Sequence, residues 1–466
     1  MVWTLETASL CFSSQPRLPL KYPTLPLALL SLTMAVSVPV QAADAPTQFN
    51  VRTFGALGDN KTKDTAAFQK ALDACGKAGG GEVDVPAGNY LIGSIELHAN
   101  TTLHLEKDVF IVESSDVNDF PIIPGRFEGA NTQVHRGMIY ADHANHIAIV
   151  GPGGFSAASA LGPLRNPRAP VGIELVNCDD VTLEGFSYQY DAPVRTDIWC
   201  IHPMFCTNVM VKNLYVRSTG TNGDGLDVDS CSKVTVQNCD ISAGDDAISL
   251  KSGRGMEAVR EGKPTEDVII KDCKLASVHF AAIGIGTEIS GGVRNVDISN
   301  CTISGVQNAI FIKSRDGRGG FLDNITGENL TVEASPTFVG IDLLSKGIQA
   351  AEPVTGDVEK WTKVSNITFK NIIVHNVRTL VETQHSNAGE GVSDARPIDG
   401  FTLSNITGTC QRGITLTNIV NANFSDIKVT GFEGPLLTLK NVTGKGLEQT
   451  GPAPAPDAAK PAATAQ

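Results

Sequence analysis

The sequence predicts an all-β protein built as a parallel β-helix, a solenoid of stacked coils, and three observations predict it. From about residue 181 a short pattern recurs: VTLEGFSY, VMVKNLYV, VTVQNCDI, VIIKDCKL, VDISNCTI, ITGENLTV, ITFKNIIV and FTLSNITG. Apolar residues alternate on both sides of a central Asn or Asp (Gly in the first copy), so one face of each strand is buried. The copies recur every ~21 to ~42 residues, the period of a solenoid whose longer coils carry loops on one side. Second, the central residue breaks the alternation at one place, at Asn213, Asn238, Asp272, Asn300, Asn329, Asn371 and Asn405. A strand must bend there, and in stacked coils these side chains can hydrogen-bond as a ladder. Several lie in N-x-S/T sequons, but the ladder is the favoured reading. Third, 46 glycines against 6% aromatic residues suit a turn-rich β structure better than a helical bundle.

Taken in order, residues 1–42 read as an export signal. Arg17 and Lys21 precede the apolar run LPLALLSLTMAVSVPV, which ends at Val40-Gln41-Ala42, a small-residue cleavage pattern. Pro26 and Pro39 interrupt the run, which makes a poor membrane span. A secreted or periplasmic location follows, with the start of translation nearer Lys21 as an expectation. The solenoid domain is expected over 43–448. It opens with a strand and glycine turn, FNVRTFGALGDN, then a helix capped by Asp64. Phe68, Ala71, Leu72 and Cys75 fall on one helical face, and Gly79 to Gly81 end it. One amphipathic helix suits the open end of a solenoid, which otherwise exposes unpaired strand edges. VDVPAGNYLIG and ELHANTTLHLEKDVFI then read as strands. The tail 449–466, GPAPAPDAAKPAATAQ, is Ala/Pro-rich and is expected to be disordered.

The net charge of −13 argues against nucleic acid as a partner. It leaves room for an acidic polysaccharide held in a local basic cleft. The ten cysteines do not read as a disulfide framework. Cys178, Cys206, Cys231, Cys239, Cys273 and Cys301 recur in strand contexts such as VQNCDIS and are expected as free, buried thiols. Cys200 and Cys206 are the pair that would bridge if any did. No cysteine or histidine spacing fits zinc.

Chemistry concentrates in NGDGLDVDSCSKVTVQNCDISAGDDAISLKSG, residues 222–253. About 21 residues separate Asp224 from the pair Asp245 and Asp246, close to one coil, so stacking would bring them about 4.8 Å apart along the solenoid. Three acids on one surface repel, and one should keep its proton at neutral pH. That suits hydrolysis of a glycosidic bond, in which a protonated carboxyl serves the leaving oxygen and a carboxylate serves a water. Neighbours on a regular strand face opposite ways, so Asp245 and Asp246 share a cleft only if the chain bends; Gly244 permits that. Asp227 and Asp229 read as turn-capping carboxylates in preference to a calcium site.

Many segments resemble glycoside hydrolase family 28, the polygalacturonase family: FGALGDNKTKDTAAFQKALDAC, GGGEVDVPAGNYLIGSIEL, WCIHP, NGDGLDVDS, GDDAISLKSG, GKPTEDVIIKDC, IGTEISGGVRNV and IKSRDGRGG. The resemblance implies a right-handed parallel β-helix. It implies inverting hydrolysis of pectic linkages by a monomer, with no cofactor, no metal and no membrane span. It makes Asp245 the general acid and gives Asp224 and Asp246 the attacking water. Asn222, Lys313, His279, Arg254 and Phe311 become candidate substrate contacts.

Three departures qualify it. The family's N-T-D-G is N-G-D-G here. Its Gly-His-Gly is broken: anchored on Gly286 and Glu288, the histidine's place falls on Phe280; anchored on the repeat, it falls on His279. Its Arg-Ile-Lys becomes Phe311-Ile312-Lys313, which removes a bidentate carboxylate contact that Phe cannot make. Phe280 and Phe311 could contact a less acidic sugar, such as a methyl-esterified galacturonate or a rhamnose, and a rhamnogalacturonan-type hydrolase is the first alternative. Arg254, Arg260, Arg294, Arg315 and Arg318 remain as subsite cations, though each taken singly reads as solvated surface. In WCIHP, His202 reads as a structural or cleft-wall residue and Trp199 as a lesser candidate for a sugar platform. A calcium-dependent lyase and a non-catalytic carbohydrate-binding β-helix are the remaining alternatives. Long loops that could close a groove end favour exo action on short oligosaccharides.

Overall fold

The computed structural model describes residues 48–157, 161, 164, 166–190, 199–305, 307–344, 352–383 and 397–448. The expected export segment and the Ala/Pro-rich tail lie outside them. The described chain is a parallel β-helix. Strands Ile139–Asp142, Ile173–Val176, Ile201–Met204, Leu226–Asp229, Ile248–Lys251, Ala281–Ile285, Asn308–Lys313 and Thr337–Asp342 pair successively in parallel and form one face, here called the groove sheet. Register is strict across it: Asp227, Ser249, Gly284, Phe311 and Gly340 form one column. Inward columns such as Ile173, Ile201, Leu226, Ile248, Ile283 and Ile310 are fully buried. Branched side chains suit such a column because they fill a pleated surface with little rotamer freedom to lose.

The predicted corners are present. Asn213, Asn238, Asp272, Asn300, Asn329, Asn371 and Asn405 all adopt the left-handed conformation, with φ between +52° and +57°. Asn and Asp visit that region at least cost among residues with a side chain. Their amides form the ladder, for example Asn238 Nδ2 to Asn213 Oδ1 at 2.7 Å and Asn405 Nδ2 to Asn371 Oδ1 at 2.9 Å. A second ladder, not anticipated, starts the same sheet: Asn208 to Asp180 at 2.7 Å, Asn295 to Asp267 at 2.9 Å and Asn324 to Asn295 at 2.9 Å.

The capping helix spans Thr65–Lys77 and buries Phe68, Ala71, Leu72 and Cys75. Asp64 stands at its N-cap but makes no capping bond. Its carboxylate instead accepts from Leu57 N and Gly58 N, at 2.8 and 3.0 Å, and closes the preceding glycine turn. The opening segment is a short strand, Gln48–Asn50, followed by a 3-10 turn at Val51–Phe54, so the strand is shorter than expected. Cysteines 75, 178, 200, 206, 231, 239, 273, 301 and 410 are free and buried, so Cys200 and Cys206 do not bridge. Two elements went unanticipated. An antiparallel hairpin pairs Ile122–Phe127 with Ala130–His135, and the polar insert at 252–267 carries a short helix, Gly255–Glu261.

Candidate active site

The two acidic segments precede neighbouring strands of the groove sheet. Asp224 lies just before Leu226–Asp229, and Asp245 and Asp246 just before Ile248–Lys251. Backbone bonds lock the two coils together, with Gly225 N donating to Asp246 O at 3.0 Å and Gly244 N to Gly223 O at 3.2 Å. The adjacent acids sit in a turn, outside any strand, so strand alternation does not separate them. Gly244 is needed there for close approach: a Cβ would lie 1.9 Å from the carbonyl oxygen of Gly220.

Each acid has a distinct partner set. Asp246 is buried; its Oδ2 lies 2.7 Å from Lys313 Nζ, and its Oδ1 accepts from Ala281 N at 3.1 Å. Asp224 is buried and accepts from Lys251 Nζ at 3.1 Å. Asp245 is partly exposed. With the Asn222 amide turned to satisfy both neighbours, its nitrogen donates to Asp245 Oδ2 at 3.3 Å and its oxygen accepts from Arg168 Nη2 at 3.2 Å.

These environments separate the protonation states. Burial, then the charges of Asp224 and Asp246, push Asp245 up to about 9. Asp246 is also raised, by burial first, with Lys313 opposing. The cluster thus contains a carboxyl that keeps its proton at neutral pH next to two acids held against lysines. That is the asymmetry acid/base chemistry requires.

A buried charged layer supports the acids. Lys251 Nζ lies 2.5 Å from Asp227 Oδ1 as well as 3.1 Å from Asp224, and 3.7 Å from the centroid of the Trp199 ring. Burial, then Asp224, lifts Asp227 well above the ordinary carboxylate range. Asp229 accepts from Arg126 Nη1 at 3.2 Å and lies 3.8 Å from His202 Nε2. Burial would raise Asp229, but Arg126 and His202 outweigh it and hold it low. Arg126 also pairs with Glu261 of the short helix. Asp227 and Asp229 are therefore strand residues paired with cations, which corrects the turn-cap reading and leaves neither free for calcium.

Other expectations change. Trp199 is 2% exposed, packed between Lys251 and Phe127 (ring centroids 4.5 Å apart), so it cannot stack on a sugar. His202 is buried, in keeping with a structural role. Arg315 and Arg318 are buried rather than solvated, with burial lowering Arg318 to about 10. Arg254 pairs with Glu352 at 2.9 Å. His279 is exposed on the turn after Lys274–Ser277, whereas the ring of Phe280 lies 4.9 Å from Lys313 Nζ. Phe280 thus stands beside the lysine that pairs with Asp246. Phe311 stands beside it, with ring centroids 6.2 Å apart. Sequence reasoning missed Lys251, Arg126, Phe127 and Arg168. Lys251 had a signal, since it lies one coil from Asp229 in the repeat; the hairpin residues had none.

Gly284 shows how tightly the acids are fitted. A Cβ there would lie 2.1 Å from Asp246 Oδ2, so the missing side chain is the space that Asp246 fills. Gly284→Ala should move that carboxylate off Lys313 and lower kcat about a hundredfold. Unchanged circular dichroism would confirm that the fold survives, and wild-type turnover would mean that Asp246 does not need its present place.

A parallel β-helix that gathers three acids, two of them paired with lysines, ahead of neighbouring strands of one sheet is the framework of a glycoside hydrolase. The chain belongs to the glycosyl hydrolases family 28, whose sequence model matches residues 75–359. It is 26% identical over 372 residues to a probable polygalacturonase of Vitis vinifera, covering 76% of this chain and 72% of that one. It is 23% identical to an exo-poly-alpha-D-galacturonosidase of Dickeya chrysanthemi, covering 86% and 75%. Among solved structures, the family 28 exopolygalacturonase of Yersinia enterocolitica superposes with a TM-score of 0.74 at 20% identity, covering 88% of this chain and 80% of that one.

Proposed function

We propose that this glycoside hydrolase cleaves pectic polysaccharide or its oligosaccharides by a single inverting displacement. Asp245 donates its proton to the glycosidic oxygen as the bond to the anomeric carbon breaks. A water held by Asp224 and Asp246 attacks from the opposite side and gives up its proton to one of them. The observation that carries this reading is the gathering of Asp245, whose burial and neighbouring charges favour its protonated form, with two lysine-paired acids. The relatives named above support the pectic substrate.

Two further features extend the reading. The hairpin places Phe127 against Trp199, Arg126 against Asp229 and Gly129 against Arg254 N, at 2.9 Å, so it lies along the acid-bearing coils. A strap in that place supports attack near chain ends over mid-chain attack. The sequence of residues 1–42 supports export, and no helix among the described residues is long and apolar enough to cross a membrane.

The test is release of reducing ends from a panel of pectic fragments, with Asp245→Asn as control. Early products should be short, no unsaturated product should absorb, and a chelator should change nothing. The alkaline limb of kcat/KM should fall near pH 9, where Asp245 loses its proton. Binding without turnover would instead make the protein a carbohydrate-binding β-helix, and a chelator-sensitive unsaturated product would make it a lyase.

A further inference from the structure

We infer that the position beside the catalytic acid takes an uncharged sugar ring, its carboxyl esterified or absent, with its apolar face laid on Phe280, which Phe311 backs. The inference rests on the hydrolase reading above. Three observations carry it.

The first is the chemistry of the surface. Phe280 is 40% exposed and Val278, two residues earlier, 57% exposed, both among the few large apolar side chains left open among the described residues. Phe311 lies beneath Phe280, the rings tilted by 38°. Phe311 is itself buried, between Gly284 and Gly340 in its column, so it backs the exposed ring of Phe280 and does not meet the sugar directly. Aromatic rings present a negative face, which attracts the polarised C–H groups of a sugar and repels a carboxylate.

The second is the state of Lys313. Its Nζ lies 2.7 Å from Asp246 Oδ2, 4.9 Å from the Phe280 ring and 5.5 Å from the Phe311 ring. Its charge is taken up by the buried acid, and two aromatic faces flank it. A uronate carboxylate arriving here would lose its water and meet phenyl rings in place of a donor, which makes the exchange unfavourable. Arg254 does not supply the missing cation, because its guanidinium is engaged with Glu352.

The third is placement. The loop carrying Phe280 is latched to both acids: Ser277 Oγ donates to the carbonyl of Asp245, Phe280 N donates to Ser277 Oγ at 3.0 Å, and Ala281 N donates to Asp246 at 3.1 Å. The Phe280 ring is therefore fixed relative to the reacting carboxyls, and a sugar lying on it is adjacent to the bond being cleaved.

The experiment uses three oligosaccharides of one length: fully methyl-esterified oligogalacturonate, the same chain de-esterified, and one alternating galacturonate with rhamnose, a neutral 6-deoxyhexose. Affinity is measured by calorimetry on the Asp245→Asn variant, and kcat/KM on the active enzyme. One of the two arms that can place an uncharged ring at this position should bind about tenfold tighter than the de-esterified chain, and which of them does so identifies the source of that ring. Phe280→Ala should remove that preference, and its side chain is exposed enough for the change to spare the fold. Phe311→Arg should raise kcat/KM on the de-esterified chain about tenfold by restoring a charge-assisted contact. Tightest binding of the de-esterified chain, or no binding of any arm, overturns the inference. A preference in binding with no turnover of any arm keeps the platform and rejects the hydrolase reading.

Discussion

Asp245→Asn should lower turnover by about a thousandfold, within the range ascribed to a positioned general acid, while leaving the fold intact. The amide matches the carboxyl in size and can still accept from Asn222, but it has no proton to transfer. The substitution also changes the pH dependence of stability, and the sign is fixed by the raised pKa. Asp245 titrates near 9 in the folded chain and at an ordinary value when unfolded. The folded state therefore binds a proton that the unfolded state releases. That contribution is complete below about pH 4 and is lost as pH rises toward 9. The variant has nothing to lose over that range. It should melt with the wild type near pH 4 and above it near pH 8, by thermal denaturation. Near wild-type turnover would remove Asp245 from the acid role, and parallel melting curves across pH would mean its proton is not held.

The backbone plan was legible because a solenoid writes its period into the sequence. Alternation gave the buried face and the Asn corners gave the bends, since each coil obeys the same local rule at Asn238, Asn300 and Asn371. The three acids were legible for a related reason: register turns a spacing of one coil into proximity. What escaped were contacts made across the stack by parts outside the repeat. The hairpin that brings Arg126 to Asp229, 103 positions away, and Phe127 to Trp199 joins residues far apart in the chain, and nothing periodic connects them. Buried polar pairs also resist sequence reading. Asp227, Asp229, Arg315 and Arg318 look like surface in a sequence, and only their partners make burial tolerable. The two departures at Phe280 and Phe311 were visible singly. Their contact was not, because one lies in a turn and the other in a strand of the next coil.

Lys251→Met should be the most destabilising single change at the site, costing about 3 to 5 kcal/mol, the range for removing one partner from a buried ion pair. Lys251 serves two buried acids at 3.1 and 2.5 Å and packs under the Trp199 ring. Met keeps most of the packing and discards the charge, so the loss would be electrostatic. Without the cation, a charge on either buried acid loses its partner, and Asp227, already raised by burial with Lys251 in place, is pushed further up. The variant's deficit should accordingly be smallest near pH 4 and grow as pH climbs through neutrality. Adding Asp227→Asn removes one of the two stranded acids and should recover part of the stability in chemical denaturation. It should not recover kcat, because Asp224 would still lack the ammonium that orients it toward the water. A single variant as stable as the wild type would mean that this layer is not held by its charge. Recovery of both stability and turnover in the double variant would mean that Asp224 does not depend on Lys251 for its part in the reaction.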